Sequence, residues 1–169
     1  MSVRVDGGPA HRYYRALVGC WSGTLVIDVT DWRAVARLPL ATRVMAVLAR
    51  LSGSASMATT LDADGAAFVH TTRMSRMGVT VFETAERITV HDDGRAIRLV
   101  GTQRPRIGPR ESYTADGEID DGTHAMYRIP WCGSPMVQRT SIVPAGLELT
   151  QETAWSRAFV LLRRSEPSS

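Results

Sequence analysis

From Ser54 onward the chain is cut by turn signals roughly every eleven to sixteen residues, and this rhythm constrains its fold more than any other feature. The signals are Asp62 to Gly65, Met77-Gly78, Asp92-Asp93-Gly94, Ile107-Gly108-Pro109, Asp120-Asp121-Gly122, Cys132 to Pro135, Pro144-Ala145-Gly146 and Ala154 to Ser156. Asp-Gly is a strong hairpin signal because a type I′ turn needs positive φ at both central positions. Between turns the residues alternate, as in Thr80, Phe82 and Thr84 against Val79, Val81 and Glu83. Together with the β-branched run Trp21 to Thr30, this gives ten strands. Turns this tight leave no room for parallel crossovers, so the sheet is expected to be a mainly β, antiparallel up-and-down meander. Closing it into a barrel removes the aggregation-prone edges. The competing architecture is an α+β roll with a helix packed across a curved open sheet.

Two helical segments interrupt this pattern. Pro9 to Leu17 reads as a short N-terminal helix whose Tyr13, Tyr14 and Leu17 close the barrel floor. Asp31 is a natural N-cap for a helical turn over Trp32 to Arg37. Pro39 then opens a second helix, its missing N–H costing nothing in a first turn. Leu40, Val44, Val47, Leu48 and Leu51 fall on one face of that helix and Arg43 and Arg50 on the other, with Gly53 as terminator. Residues 31–53 are expected to form a helical lid between the first and second strands. Residues 1–169 read as one ligand-enclosing domain, with flexible ends at 1–8 and 165–169.

Composition narrows the chemistry. All 20 basic residues are Arg, and the chain has neither Lys nor Asn, which fits a GC-rich bacterial genome and excludes Schiff-base catalysis through lysine. A net charge of +3 spread along the chain gives no expected nucleic-acid site, and Arg104, Arg106 and Arg110 read as a solvated loop. No stretch approaches the roughly 18 apolar residues of a membrane helix, and no apolar leader region opens the chain, so no membrane partner and a cytoplasmic location are expected. Cys20 and Cys132 read as two thiols. There is no metal-ligand spacing, no G-x-S-x-G elbow and no glycine-rich phosphate loop, so no cofactor and no metal are expected.

Gly19-x-Trp21 opens the first strand and matches the lipocalin first-strand signature. With it, the chain resembles the calycin superfamily of lipocalins and fatty-acid-binding proteins. The helical insertion after the first strand and the count of ten strands are similar to the fatty-acid-binding branch. The resemblance covers the whole chain in topology and three residues in motif. It implies that Trp21 plugs the closed end of the barrel beneath an Arg from the final strands, for which Arg157, Arg163 and Arg164 are the candidates. The Arg-x-Tyr pair of fatty-acid carriers is absent from the late strands. No His follows His124, where a haem-binding barrel of the nitrobindin kind has its proximal ligand.

A ten-stranded barrel is wider than its own side chains fill, so a cavity for a small hydrophobic molecule is expected. Met57, Met74, Met126 and Met136 lie on strands and suit an irregular apolar ligand. Polar residues on apolar strand faces are more informative, since burial without partners costs about 1–3 kcal/mol. His70 shares a face with Phe68 and Met74, Glu86 with Phe82, and Tyr127 with Trp131. Gln138 lies with Met136, and Gln151 with Leu147 and Leu149. Parity alone does not decide between Glu86 and Glu83, because one bulge reverses a strand face. Candidate catalytic residues are therefore Tyr113, Glu86, His70 and Tyr127. Candidate ligand contacts are Met57, Phe68, Met74, Phe82, Glu83, Met126, Trp131, Met136, Gln138 and Gln151, with Leu48 from the lid. These point to a cofactor-free cyclase or isomerase of secondary metabolism, acting on a bulky polyketide- or terpenoid-like intermediate. A non-catalytic carrier for the same ligand is the alternative, a plugged barrel acting in protein interaction is a third reading, and a homodimer stays open.

Overall fold

The computed structural model describes residues 8–52, 54–131 and 134–166. It contains the short helix α1 (Pro9–Leu17), strand β1 (Gly19–Val29), and helices α2 (Trp32–Val35) and α3 (Leu40–Ser52). Nine further strands follow: β2 (Ser54–Asp64), β3 (Ala67–Arg76), β4 (Val79–Val90), β5 (Ala96–Pro105), β6 (Glu111–Ile119), β7 (His124–Trp131), β8 (Ser134–Val143), β9 (Gly146–Glu152) and β10 (Ser156–Ser165). Each strand pairs antiparallel with its neighbour in sequence, and β1 pairs with both β2 and β10, closing the barrel. No open sheet of a roll remains. Most of the turn signals fall at strand junctions, but Asp62 to Asp64 belong to β2, with the turn only at Gly65, and Ser134 and Pro135 belong to β8. No described helix is long and apolar enough to cross a membrane.

The lower end is closed by α1. Ala10, Tyr13, Tyr14 and Leu17 lie on one side of the helix and are all buried. The Ala10 N–H donates to the Gly94 carbonyl at 2.9 Å, tying the helix to the β4–β5 turn. At the far end of α1, the Trp21 indole N–H donates to the Leu17 carbonyl at 2.7 Å. The Arg164 guanidinium lies 4.7 Å from the Trp21 ring centroid, within cation–π range, and donates to the Ala16 and Val18 carbonyls. Of the three candidate arginines, Arg164 is the one over the ring. It also caps carbonyls at the C-terminus of α1, which the helix itself leaves unpaired.

At the opposite end Asp31 caps α2, its carboxylate accepting from the Arg33 and Ala34 N–H groups. The helix ends at Val35 rather than Arg37, and the chain turns before α3. On helix α3 two described members of the apolar stripe are not buried. Leu40 is 69% exposed and Val47 45% exposed, whereas Ala46 and Thr42 are buried. Ala46 packs with Val29, Val35 and Trp155 in a small cluster apart from the main core. A small side chain lets the helix approach closely, and the exposed valine and leucine gain nothing from that contact. The side chains of Leu48 and Leu51, and Gly53 with Cys132 and the outermost residues at both ends, lie outside the described residues.

Candidate ligand-binding site

Strand alternation directs one face of every strand into the lumen. On β3 and β4 the inward face carries His70, Thr72 and Met74, and Thr84, Glu86 and Ile88. His70 and Glu86 are direct cross-strand partners, as are Glu86 and Gly101, and Gly101 and Tyr113. These residues form one continuous row across β3, β4, β5 and β6. Gly101 is what joins the row: a Cβ there would stand 2.9 Å from Glu86 Cγ and 2.8 Å from the Ala85 carbonyl oxygen. Without that Cβ, Tyr113 reaches across β5 and donates its hydroxyl hydrogen to Glu86 Oε1. On the other side His70 Nδ1 lies 2.6 Å from Glu86 Oε2. His70 Nε2 lies 2.5 Å from Thr59 Oγ1 and 3.3 Å from Thr72 Oγ1.

The electrostatics of this relay follow from its partners. Burial pushes the Glu86 carboxyl upward, but hydrogen bonding and charge from His70, with the Tyr113 hydroxyl, outweigh it and hold Glu86 below the usual carboxylate range. Tyr113 is pushed far above the usual phenol range, first by burial and then by the Glu86 charge, so it stays a donor. Against an ionised Glu86, His70 donates through Nδ1. The state of Nε2 then depends on the Thr59 rotor, whose hydroxyl is 2.9 Å from the Thr71 carbonyl. With the Thr59 hydrogen donated to that carbonyl, Nε2 must carry a proton to bond Thr59. With the hydrogen turned to Nε2, the ring is neutral.

Two further polar groups line the lumen. On the floor Tyr14 and Tyr127 share a hydrogen bond of 3.1 Å, and Tyr13 bonds Thr140. Burial raises all three phenols well above their usual range, so they act as neutral hydrogen-bonding groups. A second inward glycine makes room for this floor, since a Cβ on Gly117 would stand 2.8 Å from the Tyr127 ring. On the far wall Gln151 Nε2 donates to Gln138 Oε1 at 2.8 Å. Met57, Met74, Met136 and Trp131 complete the largely apolar surround. The cavity volume is about 80 Å³, room for only a few waters. A bulky occupant must therefore displace side chains, which flexible methionines permit.

Placement of the sequence candidates divides cleanly. His70, Glu86, Tyr113, Tyr127, Met57, Met74, Trp131, Met136, Gln138 and Gln151 all line the cavity. Phe68 and Phe82 are buried on the same inward faces but do not border the cavity; Phe68 packs against Tyr14 and Phe82 against Trp131. Glu83 and Met126 are corrections. Glu83 stands on the outward face and pairs with Arg73 at 3.0 Å. Met126 shares the outward face with its partners Glu118 and Arg139, because Ala125 and Tyr127 take the inward positions. The strand reading overlooked Gly101 and Gln103. An isolated glycine within a strand was the available signal for Gly101. Gln103 is buried and donates to Glu111 at 2.8 Å, but it sits in an Arg- and Pro-rich stretch that reads as loop. No group of three His, Cys, Asp or Glu among the described residues is placed to hold a metal ion.

The ladder between β6 and β7 is short. Register pairing runs only from Asp116 with Arg128 to Ile119 with Ala125, which leaves the Tyr113 end of β6 without a ladder to β7.

No protein-family model and no curated protein matches this sequence. Among solved structures, the REP1-NXSQ fatty acid transporter aligns over 91% of this chain and 99% of its own, with 12% identity and a TM-score of 0.51. At that identity the likeness is one of fold, and with the closed ten-strand meander it fits a calycin-like barrel.

Proposed function

We propose that this barrel binds a small, neutral, largely apolar molecule and moves a proton on it without a cofactor, as a cyclase or isomerase does. The hydrogen-bonded row His70–Glu86–Tyr113 inside the lumen carries this reading. His70 Nε2, held by the Thr59 hydroxyl, exchanges that partner for the substrate, taking a proton from a carbon next to a carbonyl and returning it elsewhere. Glu86 orients the ring and stabilises its cationic form, the role a carboxylate plays behind a catalytic histidine. Tyr113 and Gly101 position Glu86. The dry apolar walls hold the substrate in one reactive shape, which removes entropy from the barrier. Neutrality of the ligand follows from the lining: no arginine borders the cavity among the described residues, and Glu86 is ionised there. A carboxylate ligand would be left unpaired against a like charge.

The test uses 2-tetralone, an apolar ketone with acidic α-hydrogens, incubated with the protein in deuterium oxide. Mass spectrometry should show α-deuterium incorporation above the buffer rate, and His70→Gln should remove that excess. Exchange at the buffer rate with 2-tetralone still bound would instead favour a carrier. The fold of the aligned fatty acid transporter supports that second reading.

A further inference from the structure

The proton relay leaves the opposite wall of the barrel without a role. In the closed strand order three strands separate β3 and β4 from β8 and β9 in either direction, so the Gln138–Gln151 pair faces the His70–Glu86 pair across the lumen. The two glutamines are direct cross-strand partners and are half-buried. Their mutual hydrogen bond engages one N–H of Gln151 and the oxygen of Gln138. Each amide has two N–H donors and one carbonyl acceptor, so the pair keeps the Gln138 amino group and the Gln151 oxygen free. Exchanging the two amide orientations swaps these roles and still leaves one free donor beside one free acceptor. Neither free group is among the sealed, partnerless side-chain atoms, so both are open to an occupant of the cavity.

We propose that Gln138 and Gln151 form a second, uncharged recognition station. It reads a neutral group with an N–H or O–H donor beside a carbonyl, as an unsubstituted amide or a lactam has. The inference rests on the lumen being the ligand site. It makes the ligand two-ended: a carbonyl with acidic neighbours at His70, an apolar body, and an amide-like group at the glutamines. Polar recognition of this kind is selective because an analogue lacking the donor leaves the buried amide oxygen unpaired.

Calorimetric titration of the full-length protein with octanamide and N,N-dimethyloctanamide tests this directly. The dimethyl compound has more apolar surface and no donor, so burial alone predicts that it binds more tightly. The station predicts instead that octanamide binds about tenfold more tightly. In Gln138→Met/Gln151→Met that preference should vanish, and in Glu86→Gln it should persist. Replacing both partners of a hydrogen bond by apolar groups of similar shape is nearly neutral for folding. Gln138→Leu/Gln151→Leu provides the same comparison with a different apolar filling of the wall. Equal affinities in the wild type, or a preference that survives in either double variant, would overturn the inference. Loss of the preference in Glu86→Gln would also overturn it, by placing the amide at the relay. Binding of neither amide would remove the lumenal reading as a whole. An intact amide preference with no exchange of 2-tetralone would remove only the acid–base chemistry.

Discussion

Glu86 is held below the usual carboxylate range although burial pushes it up, and the cause is local: a histidine across one strand pair and a tyrosine reaching over a glycine. Its folded-state carboxyl therefore titrates below the unfolded one. That contribution to stability is complete above the unfolded value of about 4.3 and is lost as pH falls through the lower folded value. Denaturant unfolding between pH 5 and more acid conditions should show the wild type losing stability relative to Glu86→Gln. Gly101→Ala should resemble Glu86→Gln, because the added Cβ must displace the Glu86 stem. Parallel pH curves for all three proteins would show that the row does not hold the charge. At this scale the sequence exposed His70, Glu86 and Tyr113 as polar residues on apolar strands. It did not expose their contact, because that depends on an absent side chain on the strand between Glu86 and Tyr113. Parity likewise left Glu83 level with Glu86 until the register assigned the inward face.

Among the elements, the strands and their turns were legible because hairpin chemistry and alternation are local signals. Helix α1 was legible for the same reason, and so was the Asp31 cap. In helix α3 the spacing of Leu40, Val44, Val47, Leu48 and Leu51 defines an apolar stripe, but Leu40 and Val47 are exposed, and it is Ala46 that packs with Val29, Val35 and Trp155. Close approach favoured the small residue over the large ones, and a hydrophobic count does not register that. Trp131 packs against both this cluster and the main core. Ala46→Leu should overpack the contact and lower stability by about 1–3 kcal/mol. Leu40→Ser, on the exposed stripe, should stay within about 0.5 kcal/mol of the wild type. Thermal melts with the reverse ranking would show that α3 docks through its leucine and valine stripe.

At the scale of the whole molecule, closure of ten strands creates the enclosed volume, α1 with Trp21 and Arg164 seals its lower end, and the polar row is suspended inside. The meander was readable from turn spacing. The narrowness of the lumen was not, because it depends on how far floor tyrosines and wall methionines project inward. Those methionines supply the most direct test of the central claim, that the lumen is where the ligand binds. Met57, Met74 and Met136 line it, whereas Met77 and Met126 stand outside. A methyl-labelled methionine NMR titration with 2-tetralone should shift the three lumenal signals and leave Met77 and Met126 in place. Shifts confined to Met77 or Met126, with the lumenal three unmoved under saturating ligand, would contradict it.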